Sequence, residues 1–82
     1  MYRIEITKKA LKFIDKQDKT KREMLIRAIA KLPDGDVKPL KGHDGLYRLR
    51  VGTYRVIYTI DSGNLIICVI DAGNRGQIYN DY

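Results

Sequence analysis

The chain is poor in the residues that carry most small-protein chemistry: 82 residues contain one cysteine, one histidine, one phenylalanine, two prolines and no tryptophan. Cys68 has no partner for an internal disulfide, and with His43 it leaves too few ligands for a zinc site, so redox scaffolding, a metal and a cofactor are not expected. No apolar run is long enough to span a bilayer, and the opening "MYRIEITKKA" lacks the charged-then-apolar order of a signal peptide. A cytoplasmic protein with no membrane partner is the expectation. There is also no internal repeat, low-complexity tract or linker. Acid is the scarcer charge, with ten Asp and Glu against sixteen Lys and Arg, a formal net charge of +6. Such an excess suits phosphate polymers or acidic proteins, or serves only solubility, and its placement must decide between them. What remains is 44% hydrophobic and 32% charged, enough to fold as a single domain over residues 1–82.

The apolar residues have two periods. In "YRIEIT" Tyr2, Ile4 and Ile6 alternate with Arg3, Glu5 and Thr7, the pattern of a half-buried strand. From 8 to about 17, Ala10, Leu11 and Ile14 recur at helical spacing, with Thr7 placed to cap the start. "TKRE", Thr20 to Glu23, has capping-box spacing and predicts the start of a second helix, whose stripe Leu25, Ile29 and Leu32 runs until Pro33 and Gly35. These two helices form a hairpin. "PDGDVKPLKGHDG", residues 33–45, reads as a surface loop, its three aspartates explained by turn chemistry. Sheet follows: "LYRLRV" and "YRVIYTI" flank Gly52-Thr53, which fits a type II′ turn, and "DSGN" leads into the unbroken apolar "LIICVI", expected to be a central strand covered on both faces.

Pairing outward from Gly52-Thr53 opposes Val51 with Tyr54, Arg50 with Arg55, Leu49 with Val56, Arg48 with Ile57 and Tyr47 with Tyr58. Tyr47, Leu49, Val51, Tyr54, Val56 and Tyr58 then share the face that packs under the helices, and Arg48, Arg50, Arg55 and Ile57 share the other. Like charges opposed on a sheet cost on the order of half a kcal/mol, and an anion would remove that cost. Long arginine stems also cover apolar sheet while their heads stay in water. No acidic residue lies within either strand, and guanidinium groups hold phosphate through two bonds at once, so a phosphate-binding face is expected.

The last stretch, "DAGNRGQIYNDY", sets Arg75 between Gly73 and Gly76, with Tyr79 beyond. Tyr79 reads equally as a core tyrosine and as a ring that stacks on a base. His43 reads as an exposed loop histidine rather than a base. The lysines on and between the helices read as a solvated face, and Cys68 reads as a core filler.

Together "LKGHDGLYRLRVGTYRVIYTI" and "LIICVIDAGNRGQIY" resemble the RelE side of the RelE/ParE toxin superfamily of type II toxin-antitoxin pairs, over nearly the whole chain. The resemblance implies an α+β fold, the RelE-like microbial RNase type, with two N-terminal helices packed on a small, twisted, mainly antiparallel sheet. It implies a metal-independent endoribonuclease that cuts messenger RNA on the ribosome by attack of a 2′-hydroxyl on the adjacent phosphate, inhibiting translation. By position it assigns Arg55 to holding the phosphate, Arg75 to acid or electrostatic stabilisation, and Tyr79 to stacking and proton acceptance. Arg48 and Arg50 match cationic residues that are lysines in the best-known member, and with Lys41 they are expected to bind phosphate. Arginine stays protonated, so Arg48 and Arg50 would act by charge and the proton would pass to Tyr79. The implied partners are a RelB-like antitoxin, the ribosome and its message, with operator DNA bound through the antitoxin. A ParE-like gyrase poison and a non-catalytic RNA- or antitoxin-binding module are the alternatives.

Overall fold

The computed structural model describes residues 1–74 and Ile78. Along the chain run β1 (Arg3–Ile6), α1 (Lys8–Asp15), α2 (Lys19–Ala30), β2 (Val37–Pro39), β3 (Leu46–Val51), β4 (Tyr54–Asp61) and β5 (Ile66–Asn74). The five strands make one sheet in the order β1-β5-β4-β3-β2. β1 runs parallel to β5 and every other pair is antiparallel, so the first strand closes beside the last.

Both helices start at side-chain caps that satisfy an otherwise orphaned amide. The Thr7 hydroxyl accepts from the Ala10 amide at 3.3 Å, as its position predicted, and also donates to the Ile70 carbonyl at 3.0 Å, tying α1 to β5. The second cap differs from the sequence reading. Asp18, not Thr20, is the N-cap, its carboxylate accepting from the Lys21 amide at 2.9 Å. A charged carboxylate at a helix N-terminus also meets the positive end of the macrodipole, which a threonine hydroxyl does not. Ala10 and Ile14 of α1 and Leu25 and Ile29 of α2, with Leu32 just beyond, are buried against one face of the sheet.

That face carries Leu49, Val51, Tyr54, Val56 and Tyr58, in the register read from the hairpin. Gly52 has φ +59°, and Thr53 is not among the non-glycine residues with positive φ, the combination of a type II′ turn and not a type I′ turn. Tyr54 joins the turn to the end of α1: its ring meets Phe13 edge-on at 5.7 Å and its hydroxyl donates to Gln17 Oε1 at 2.9 Å.

Two further expectations fail. Residues 37–39 are not loop but β2, an edge strand paired Val37 to Leu49, Lys38 to Arg48 and Pro39 to Tyr47. Three residues closed by proline show no readable alternation, and β2 exists because β3 offers it a free edge. β5 is central, as expected, but fully covered on one face only: Ile67 and Val69 are wholly buried, whereas Ile66, Cys68 and Ile70 are half-buried. A bulge lies within it, since Ile57 faces Asp71 while Tyr58 faces Val69, leaving Ile70 unopposed. Among the described residues no helix is long and apolar enough to cross a membrane.

Candidate functional site

Alternation along β3 and β4 delivers Arg48, Arg50, Arg55 and Ile57 to the sheet face away from the helices. Arg50 opposes Arg55 as expected, Arg48 opposes Ile57, and Arg55 opposes Gly73 of β5. β2 adds a cation the sequence reading missed, because Lys38 is the register partner of Arg48. Once residues 33–45 are taken as loop, nothing in the sequence assigns Lys38 a face.

The three arginines have different environments. Arg50 is half exposed, and its Nε donates to Asp36 Oδ2 at 2.6 Å. Arg48 is buried, with Nη2 3.7 Å from the other carboxylate oxygen of Asp36. Arg55 is also buried and turns back over the hairpin, Nη1 donating to the carbonyls of Gly52 at 3.1 Å and Tyr54 at 2.8 Å. The one acid in these two strands, Asp61, ends β4 far from the hairpin turn, but the arginines have another beside them: Asp36 reaches the face from the turn before β2. The sequence could not show this, because Asp36 and Arg50 are fourteen residues apart and meet only once β2 is laid on β3.

Ile57 on this face is fully buried, and Ile78 lies against Gly73, opposite Arg55, so this side of the sheet has apolar cover of its own. At the flank Asp71 is buried beside Ile57, pairs with Lys9 Nζ at 3.0 Å and accepts from the Ala72 amide at 2.9 Å. Lys41 is exposed in the turn beyond Pro39, whose register partner is Tyr47, at the opposite end of β3 from Arg50. Arg75 and Tyr79 lie outside the described residues.

A face built from guanidinium groups and a lysine holds fixed positive charge. It can grip phosphate oxygens and stabilise charge that builds on them, because arginine does not release its proton near neutral pH. Two groups away from this face have altered acidity. On the helix side burial raises the Tyr58 phenol above its ordinary range, Tyr47 adds to the rise, and Arg48 opposes it. In the β4–β5 turn the Asn64 side chain and backbone bonds lower the Asp61 carboxyl.

Comparison with known proteins places this geometry. The family described as "ParE toxin of type II toxin-antitoxin system, parDE" matches over residues 4–79. No curated protein matches the chain. Among solved structures, the archaeal RelE-RelB complex from Pyrococcus horikoshii OT3 is 27% identical, aligned over 93% of this chain and 97% of that one, with a TM-score of 0.73. The intact RelBE toxin-antitoxin complex of E. coli is 26% identical over 90% and 96%, also with a TM-score of 0.73. RelBE2 of Mycobacterium tuberculosis shares the fold, with a TM-score of 0.77 at 22% identity over 90% and 98%. A match over nearly the whole length, on two helices packed against a five-stranded mixed sheet, shows that the chain belongs to the ParE toxin family of type II toxin-antitoxin systems, as a RelE-like toxin of the RelE/ParE superfamily.

Proposed function

We propose that this toxin is a ribosome-dependent endoribonuclease that cleaves messenger RNA by attack of a 2′-hydroxyl on the adjacent phosphate and so stops translation. The observation that carries the reading is the arginine face, on which Arg48, Arg50 and Arg55 share one side of a hairpin and Lys38 lies in register with Arg48. The 26–27% identity with RelE chains crystallised with RelB supports the same side of the superfamily. Arg55 holds the scissile phosphate, Arg48 and Arg50 neutralise its charge as it develops in the transition state, and Lys41 engages the message at the far end of β3. Arg75 stabilises the leaving side, and Tyr79 stacks on the base and takes the 2′-hydroxyl proton. This last role needs the phenolate, a form that guanidinium charge beside a phenol would favour. A RelB-like antitoxin neutralises the toxin and carries the pair to operator DNA, and the protein works in the cytoplasm without a metal.

The family description favours a second reading, a ParE-like poison of DNA gyrase. Primer extension on a translated message separates the two. Wild-type protein gives cuts that require ribosomes, while Arg55→Ala and Tyr79→Phe each reduce cutting by about a hundredfold or more. Intact messages with growth arrest and DNA damage would decide for gyrase.

A further inference from the structure

Asp36 has no role in the chemistry above, yet its carboxylate lies among the groups that would hold phosphate. The turn that carries it is firmly placed. Gly35, at φ +125°, packs on Leu49, where a Cβ would come within 3.1 Å of Cδ1. Hydrogen bonds close the turn from the Asp34 amide to the Lys31 carbonyl at 2.8 Å, from the Val37 amide to the Gly35 carbonyl at 3.0 Å, and from the Arg50 amide to the Asp36 carbonyl at 2.9 Å. Asp36 therefore grips Arg50 twice, through main chain and side chain, and only the second grip involves its charge. Its other oxygen faces Arg48 at 3.7 Å, so one carboxylate serves two guanidinium groups. Both Asp36 and Arg50 are about half exposed, a setting in which an ion pair is weak and readily exchanged for another anion.

We propose that Asp36 is a resident counter-anion of the arginine face: it pairs with Arg50 and offsets part of the charge of Arg48 in the free toxin, and an RNA phosphate engages Arg50 by displacing it. The inference rests on reading this face as an RNA-phosphate site. A phosphate approaching Arg50 meets the negative charge of Asp36, and when it binds the side chain turns into water while the main-chain bond stays. The residue thus relieves the repulsion between opposed Arg50 and Arg55 before substrate arrives, and it weakens capture by a lone phosphate relative to a strand that engages several cations together.

The test is anisotropy of a short fluorescein-labelled single-stranded RNA titrated with the full-length toxin across a salt series. Asp36→Asn removes the charge, keeps the shape and retains the carbonyl that accepts from Arg50. It should tighten binding about two- to fivefold at about 100 mM salt, with the slope of log K against log salt little changed, because phosphate engages Arg50 in both proteins. Asp34→Asn makes the same change in net charge two residues away on the same exposed turn, and should tighten binding by less than half as much. In an Arg50→Ala background the gain from Asp36→Asn should fall to the level of Asp34→Asn, the part due to net charge alone. Equal effects of the two aspartate variants, a gain that survives Arg50→Ala undiminished, or weaker binding by Asp36→Asn would overturn the proposal while leaving an arginine-dependent RNA face intact. If Arg48→Ala, Arg50→Ala and Arg55→Ala all bind RNA as the wild type does, the RNA-face reading itself fails and takes the role of Asp36 with it.

Discussion

Tyr58 is the bulkiest of the fully buried side chains, and its ring stacks on Tyr47 with centroids 5.6 Å apart. Burial and the neighbouring phenol both resist its ionisation, and Arg48 across the sheet only partly offsets them. The folded state therefore keeps this proton above pH about 10, where the unfolded chain releases it. With more protons bound when folded, stability is complete below about 10 and falls as pH rises from there through the folded-state value. The urea midpoint of the wild type should drop between pH 8 and about 10.5 by more than that of Tyr58→Phe; equal drops would show that Tyr58 ionises freely. Residue by residue, the hairpin was legible because a two-residue loop fixes its register locally, and every partner from Val51–Tyr54 to Tyr47–Tyr58 followed from counting. Asp36 was not legible, because no local period links it to Arg48 or Arg50.

The element scale shows where local signals compete. Asp18 and Thr20 both precede an apolar stripe and both suit an N-cap, and capping-box spacing favours Thr20. The structure starts α2 at Lys19, which puts Thr20 inside the first turn and leaves the capping to Asp18. Asp18→Ala should therefore cost about 1 kcal/mol in chemical denaturation, whereas Thr20→Ala should be neutral or slightly stabilising, since alanine is the better residue within a helix. The opposite order would restore the capping box. β2 shows a different limit. A three-residue edge strand ending in proline has almost no intrinsic preference for its conformation, and its pairing is set by the unfilled edge of β3.

At the scale of the molecule, one layer of helices on one sheet must stabilise all 82 residues, and for that length the folded state exceeds the unfolded by only about 4 to 12 kcal/mol. Ile67 lies in β5 opposite Ile4 of β1 and Ile60 of β4, wholly buried in the core shared with the helices. Ile67→Ala should cost about 2–5 kcal/mol by leaving a cavity that several elements together cannot close, and thermal unfolding should shift down as one cooperative transition. A separate early transition of β1 would argue against a single unit. The sequence by itself determined the helices, the hairpin, its register and the two faces of β3 and β4, because turn chemistry and side-chain period act within a few residues. Tertiary structure alone decided that β1 closes beside β5, that 37–39 becomes a strand bringing Lys38 to the site, that β5 is fully covered on one face only, and that Asp36 meets the arginines. Each of these depends on which surfaces remain free once the hairpin has folded, and long-range packing settles that where no local pattern records it.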